Sequence, residues 1–155
     1  MPKLGSRGFT LVEMLVVLGA VGVLFVIGFP KVRTAMMKAN VRSARSAVIT
    51  LYNQARNRAV REGRSMTLNF SSTNAWVTGS PRRAAGGSTC GCDTVGTIQN
   101  LGSIYGVTVT ATPATFQIDP RGLGTQPSGA GTAILLARAG YQDSVYIYGY
   151  GRISK

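Results

Sequence analysis

From Leu11 to Phe29 the chain runs for nineteen residues with a single charge, Glu13. At about 1.5 Å of rise per helical residue, a run of that length spans the roughly 30 Å hydrocarbon core of a bilayer. What flanks the run decides whether it is kept. Residues 1–8, MPKLGSRG, are short, carry Lys3 and Arg7 and end in Gly8. An ordinary secretory signal is cut beyond its apolar stretch, at a small-residue site. Here Phe29-Pro30-Lys31 follows the run and offers no such site. A cut at the Gly8–Phe9 bond instead keeps the apolar segment as the new N-terminus of the mature chain.

Glu13 is the anomaly in that segment. A carboxylate one turn into an apolar span costs on the order of 3 kcal/mol unless it snorkels to the interface or is paired. Cleavage before Phe9 would create a free amine four residues away. Within one helix that amine can meet Glu13. Between helices staggered along a filament, the amine of one subunit can meet Glu13 of another.

Beyond Pro30 the pattern changes. Pro30 lacks an amide donor, so with Gly28 it predicts a kink or a locally melted turn. From Val32 to Arg61 the sequence reads as an amphipathic helix. Val41, Ala44, Val48, Leu51, Ala55 and Ala59 form one stripe, and Lys38, Arg42, Arg45 and Arg56 fall on another face. Glu62-Gly63 predicts the stop. Met66, Leu68 and Phe70 then alternate with polar residues, Ser71 to Asn74 turns and Ala75-Trp76-Val77 returns, a predicted hairpin. Pro81 to Thr94 reads as a loop. Val107–Ala111, Phe116–Ile118, Ala133–Ala137 and Val145–Tyr148 bring the expected strands to about six, with Asp119-Pro120-Arg121-Gly122 as a turn. The helix must bury its stripe against the sheet, because no other element is long enough.

Charge and inventory narrow the function. Seventeen basic and five acidic residues give +12, and there is no histidine. Ser/His/Asp and Cys/His nucleophile systems are thereby excluded, and the scattered carboxylates argue against an enzyme. Neither a metal site nor a cofactor is expected. Nine basic residues lie between Lys31 and Arg64, where Glu62 is the only acid. Such a bias suits a polyanionic partner, nucleic acid or acidic lipid. Positive-inside topology combined with solubility is the plainer explanation.

Gly8-Phe9-Thr10-Leu11-Val12-Glu13, an apolar run and Pro30 closely resemble the leader and N-terminal helix of type IV pilins and type II secretion pseudopilins. The resemblance implies that a prepilin peptidase cuts after Gly8 and methylates Phe9. It implies that Glu13 guides stacking with other pilin or pseudopilin subunits and that Pro30 is the family's kinking proline. Ala55-Arg56-x-x-Ala59-Val60-x-x-Gly63, Trp76, Phe116-x-x-Asp119-Pro120-Arg121-Gly122 and a final Gly151-Arg152 resemble the GspH/FimT group of minor pilins and pseudopilins. The fold so implied is α+β: a long N-terminal helix against a small antiparallel sheet. Residues 1–8 are then a leader, 9–30 the transmembrane and assembly helix, and 31–155 the soluble domain, with helix 31–63 and sheet 65–155. The expected location is a single pass through a bacterial inner membrane, with the soluble domain in the periplasm or outside. In the DNA-uptake branch of that group a Gly-Arg-x-Arg element ends the chain. Here Arg152 matches, Ser154 replaces the second arginine and Lys155 follows.

The expected function is a minor type IV pilin that assists pilus assembly and captures double-stranded DNA. The alternative is a pseudopilin of type II secretion. Arg152 and Lys155, helped by Arg82, Arg83 and Arg138, are the candidate DNA contacts, although paired loop arginines are also common as solvated charge. Cys90 and Cys92 are candidates for a disulfide in an oxidising compartment. One intervening residue would strain that bond, so free or intermolecular thiols and a redox role stay open. Tyr146, Tyr148 and Tyr150 share one side of a strand beside Arg152. That placement fits packing on the helix better than stacking on bases.

Overall fold

The computed structural model describes residues 9–81, 92–125 and 131–154. Gly8, Arg82, Arg83, Cys90 and Lys155 lie outside the described residues. Two compact units divide between Met36 and Met37.

Helix α1 runs from Leu11 to Glu62. Its start is capped by Thr10. The Thr10 hydroxyl accepts the Glu13 amide at 3.2 Å, and the Thr10 carbonyl accepts that of Met14. The expected melting at Gly28–Pro30 does not occur, for α1 is unbroken there. Proline withholds one amide, so the helix forgoes one hydrogen bond and continues. The Thr34 hydroxyl then donates to the Pro30 carbonyl at 3.1 Å. At the other end Gly63 takes φ +60 and stops the helix.

In the second unit α1 buries Val41, Ala44, Val48, Leu51, Tyr52, Ala55 and Ala59. This is the predicted stripe with Tyr52 added. Glu62 and Asp93 both bind Arg64, each at 2.7 Å, and Arg64 also donates to the Ser80 carbonyl. One guanidinium thus ties the end of the helix to the start of the sheet.

Two antiparallel sheets replace the single one expected. In the first, β1 (Met66–Phe70) pairs with β2 (Asn74–Gly79) and, on its other side, with β6 (Thr115–Ile118). Short strands β3 (Asp93–Thr94) and β4 (Gln99–Asn100) extend β2, so the expected loop Pro81–Thr94 ends in a strand. The second sheet has the order β5 (Thr108–Thr112), β7 (Thr132–Arg138), β8 (Tyr141–Ile147), β9 (Ile153–Ser154). A helical turn α2 (Leu101–Tyr105), also unforeseen, lies between β4 and β5, with Asn100 capping the Ser103 amide and Gly106 closing it. Phe116, Ile118, Ile134, Leu136, Val145 and Ile147 complete a core shared by α1 and both sheets.

The tyrosine expectation is overturned by the pleat. Val145 and Ile147 are the buried side of β8, so Tyr146 lies on the opposite face, away from the core. Beyond the strand Tyr148 stays half-buried and Tyr150 is exposed.

Candidate functional site

The N-terminal unit presents an apolar surface to its surroundings. Phe9, Leu11, Val12, Leu15, Val16 and Leu18 are all exposed, as is Glu13. The helix is long and apolar enough there to cross a membrane. Arg33 lies over the Phe29 ring, 5.2 Å from its centroid, where the apolar run gives way to basic sequence. The Thr10 cap leaves Glu13 at the third position of the helix, near the positive end of its dipole, where a carboxylate is favoured.

The second region is built where two glycine-containing turns cross over α1. In the turn after β6, the Asp119 carboxylate accepts the amides of Arg121 and Leu123 at 2.9 and 2.7 Å. Gly122 and Gly124 follow. After β8, the Gly151 amide donates to the Tyr148 carbonyl and the Tyr148 amide to the Arg152 carbonyl, both at 2.8 Å. The turns touch: a Cβ on Gly124 would lie 2.4 Å from the Gly149 carbonyl oxygen. Under them lie Tyr52 and Arg56. A Cβ on Gly151 would come within 2.9 Å of the Tyr52 hydroxyl and 3.9 Å of the Arg56 Cζ. Phe116 meets Tyr52 edge-on, with centroids 6.0 Å apart. Burial pushes the Tyr52 hydroxyl above its ordinary 10.0, against the opposing charge of Arg56.

This arrangement redraws the predicted basic cluster. Arg152 is exposed at the C-terminal end of the second sheet, next in sequence to Gly151, whose Cβ position lies 3.6 Å from the Gly122 carbonyl oxygen and 3.9 Å from the Arg56 Cζ. Arg138 is not part of it. Arg138 pairs with Tyr141 at the far end of the β7–β8 hairpin, six residues along β8 from Ile147, or about 20 Å. Its guanidinium donates to the Tyr105 carbonyl at the end of α2. Cys92 is exposed, and its expected partner Cys90 lies outside the described residues. Sequence reasoning passed over Arg56 and Arg121 as site residues.

Charge is also sorted. Of the acids after Glu13, Asp143 holds Arg45, Glu62 and Asp93 hold Arg64, and Asp119 holds backbone amides. Arg45 therefore belongs to an ion pair and not to a solvated basic face. Lys38 lies over the Tyr141 ring at 5.2 Å. Arg42, Arg56, Arg58, Arg61, Arg121 and Arg152 are exposed.

Comparison with known proteins decides the family. The model of the family described as Type II transport protein GspH matches residues 44–149. The chain belongs to the GspH family. A prokaryotic N-terminal methylation motif matches residues 3–29, which implies prepilin peptidase processing and assembly with other pilin-like subunits. Two crystal structures of the Pseudomonas aeruginosa type IV minor pilin FimU share the fold. One has a TM-score of 0.55 at 15% identity, covering 74% of this chain and 86% of that one. The other has a TM-score of 0.52 at 15% identity, covering 73% and 90%. A comparison with curated proteins finds no match. The chain is thus a GspH-type subunit of the pilin and pseudopilin superfamily, a family of structural proteins, with an N-terminal helix suited to membrane anchoring.

Proposed function

We propose that this GspH-type subunit is a minor type IV pilin that joins a filament through its N-terminal helix and captures DNA at its C-terminal edge. The precursor spans the inner membrane once, is cut after Gly8 and is methylated at Phe9. Glu13 then pairs with the amine of a neighbouring subunit. The observation that supports the DNA part is the sorting of charge: the carboxylates after Glu13 are engaged, while Arg152 is exposed and follows Gly151, whose turn lies over Arg56. Lys155 adds a further cation. The likeness to a type IV minor pilin supports the pilus over the exporter. The alternative, a pseudopilin of type II secretion, is favoured by the family description itself.

Processing is tested by N-terminal sequencing from cells, which should begin at methylated Phe9; an intact Met1 would overturn the prepilin reading. Glu13→Ala should be cleaved and inserted, since loss of the carboxylate eases insertion, yet it should copurify poorly with other subunits. Thr10→Val loosens only the helix start and serves as its control. DNA binding should fall with salt at a log–log slope of about −0.9 per phosphate contacted, about −2.7 to −4.5 for roughly three to five contacts. Arg152→Ala should weaken binding more than the α1 pair Arg42→Ala/Arg58→Ala. If only the α1 pair abolishes binding, or if nothing binds near physiological salt, the secretion pseudopilin becomes the better reading.

A further inference from the structure

The outer face of the second sheet differs from the rest of the surface. Strand register places Thr108, Thr110 and Thr112 of β5, Ala133 and Leu135 of β7 and Ser144 of β8 outward. None of these carries charge. The one nearby acid of β8, Asp143, turns to the opposite face to meet Arg45. At the corner of this face three tyrosine rings form a row. Tyr146 and Tyr148 meet edge to face with centroids 4.6 Å apart. Tyr148 and Tyr150 stack at 5.5 Å, tilted by only 18°. Tyr150 ends the row and is 62% exposed. Tyr146 pairs with Ser154, and two residues on, the Tyr148 amide bonds to the Arg152 carbonyl. Residues opposed across strands share a face, so Arg152 stands on the tyrosine side.

We propose that this face binds single-stranded nucleic acid, with bases stacked on Tyr150 and Tyr148 and the backbone held by Arg152. The proposal rests on the DNA-capture reading and changes its substrate from duplex to single strand. A planar ring that continues the Tyr148–Tyr150 stack needs a free π-face. Bases of a single strand offer one, whereas bases inside a duplex are already stacked on each other. Sequence-tolerant stacking on aromatics, joined to cations that follow the backbone, is the usual design of single-strand sites. Among the described residues this face carries no carboxylate side chain, so the rest of the strand can lie across the sheet unrepelled.

The test uses the full-length mature protein in zwitterionic detergent and fluorescence anisotropy near physiological salt. Three probes are compared: a labelled oligothymidylate, an abasic oligomer of equal length and charge, and a hairpin duplex. Oligothymidylate should bind about ten-fold more tightly than the abasic strand, the gain of one or two stacked bases. Tyr150→Ala should remove most of that ratio and Tyr150→Phe should keep it. Tyr150 is exposed, so neither change disturbs the core. Arg152→Ala should weaken both single strands alike. Equal binding of thymidylate and abasic strands, or a ratio unmoved by Tyr150→Ala, overturns the single-strand site. If the duplex still binds in an Arg152-dependent way, capture itself stands. Failure of all three probes to bind overturns both.

Discussion

Arg45 of α1 reaches across to Asp143 of β8, its Nη1 3.0 Å from Oδ2 and 3.3 Å from Oδ1. The two side chains are only 21% and 25% exposed, between the surface pairs worth up to about 1 kcal/mol and the buried pairs whose breakage costs about 3–5 kcal/mol. Asp143→Ala should therefore cost about 1–2 kcal/mol in urea unfolding followed by the single tryptophan, Trp76. The buried Arg45 Nε has no hydrogen-bond partner, so Arg45→Met with Asp143→Leu should recover most of the loss. A double mutant as unstable as Asp143→Ala would show that the pair does more than neutralise itself.

Tyr52 gives the fold a defined alkaline weakness. Its hydroxyl is buried without a partner, and burial holds its pKa above 10.0. Up to about pH 10 both folded and unfolded chains keep the proton. Above it the unfolded chain releases the proton while the folded chain retains it, so stability should fall as pH rises until the folded pKa is passed. Tyr52→Phe should flatten that decline. It should also add about 1 kcal/mol at neutral pH by removing an unsatisfied hydroxyl. Equal alkaline slopes in the two proteins would assign the decline to other groups.

Gly151 combines φ +89 with a Cβ position 2.9 Å from the Tyr52 hydroxyl. Gly151→Ala should cost about 1–3 kcal/mol through backbone strain and contact together. Adding Tyr52→Phe relieves the contact and leaves the strain, so the double mutant should regain only part of the loss. Full recovery would mean that the backbone is indifferent at this position.

The β7–β8 hairpin turns on Ala139 at φ +47 and Gly140 at φ +85. Two positive angles mark a type I′ turn, for which Asn-Gly is preferred. Ala139→Asn should stabilise by about 0.5–1 kcal/mol, read as a higher Tm with no change in nucleic-acid binding. A lower Tm would show that the alanine methyl packs usefully.

The elements most legible in the sequence were those whose period is enforced by burial. Val41 to Ala59 recurs as one helical stripe, and Met66, Leu68 and Phe70 alternate, because a core tolerates no other register. Tyr52 escaped notice because its polar tip disguises a core position. The tyrosines of the last strand were misplaced for the converse reason: Val145 and Ile147 alternate with them, and the smaller residues took the inside. Helix α2 was signalled only by the Asn100 cap and Gly106, too short a span for periodicity to register. The crossing of the Gly122 and Gly149 turns joins segments far apart in the chain, and no local pattern announces such a meeting.

The exposed apolar half of α1 has a consequence for growth of a filament. A helix leaving lipid for a bundle of similar helices gains little from hydrophobicity, because lipid tails are as apolar as leucine. A uniformly greasy rod also slides, since one axial position resembles the next. A lone polar side chain breaks that degeneracy, as a buried asparagine does in a coiled coil. Glu13 is the one ruler mark on nineteen residues of smooth surface, and its capped place at the helix start sets where the scale begins.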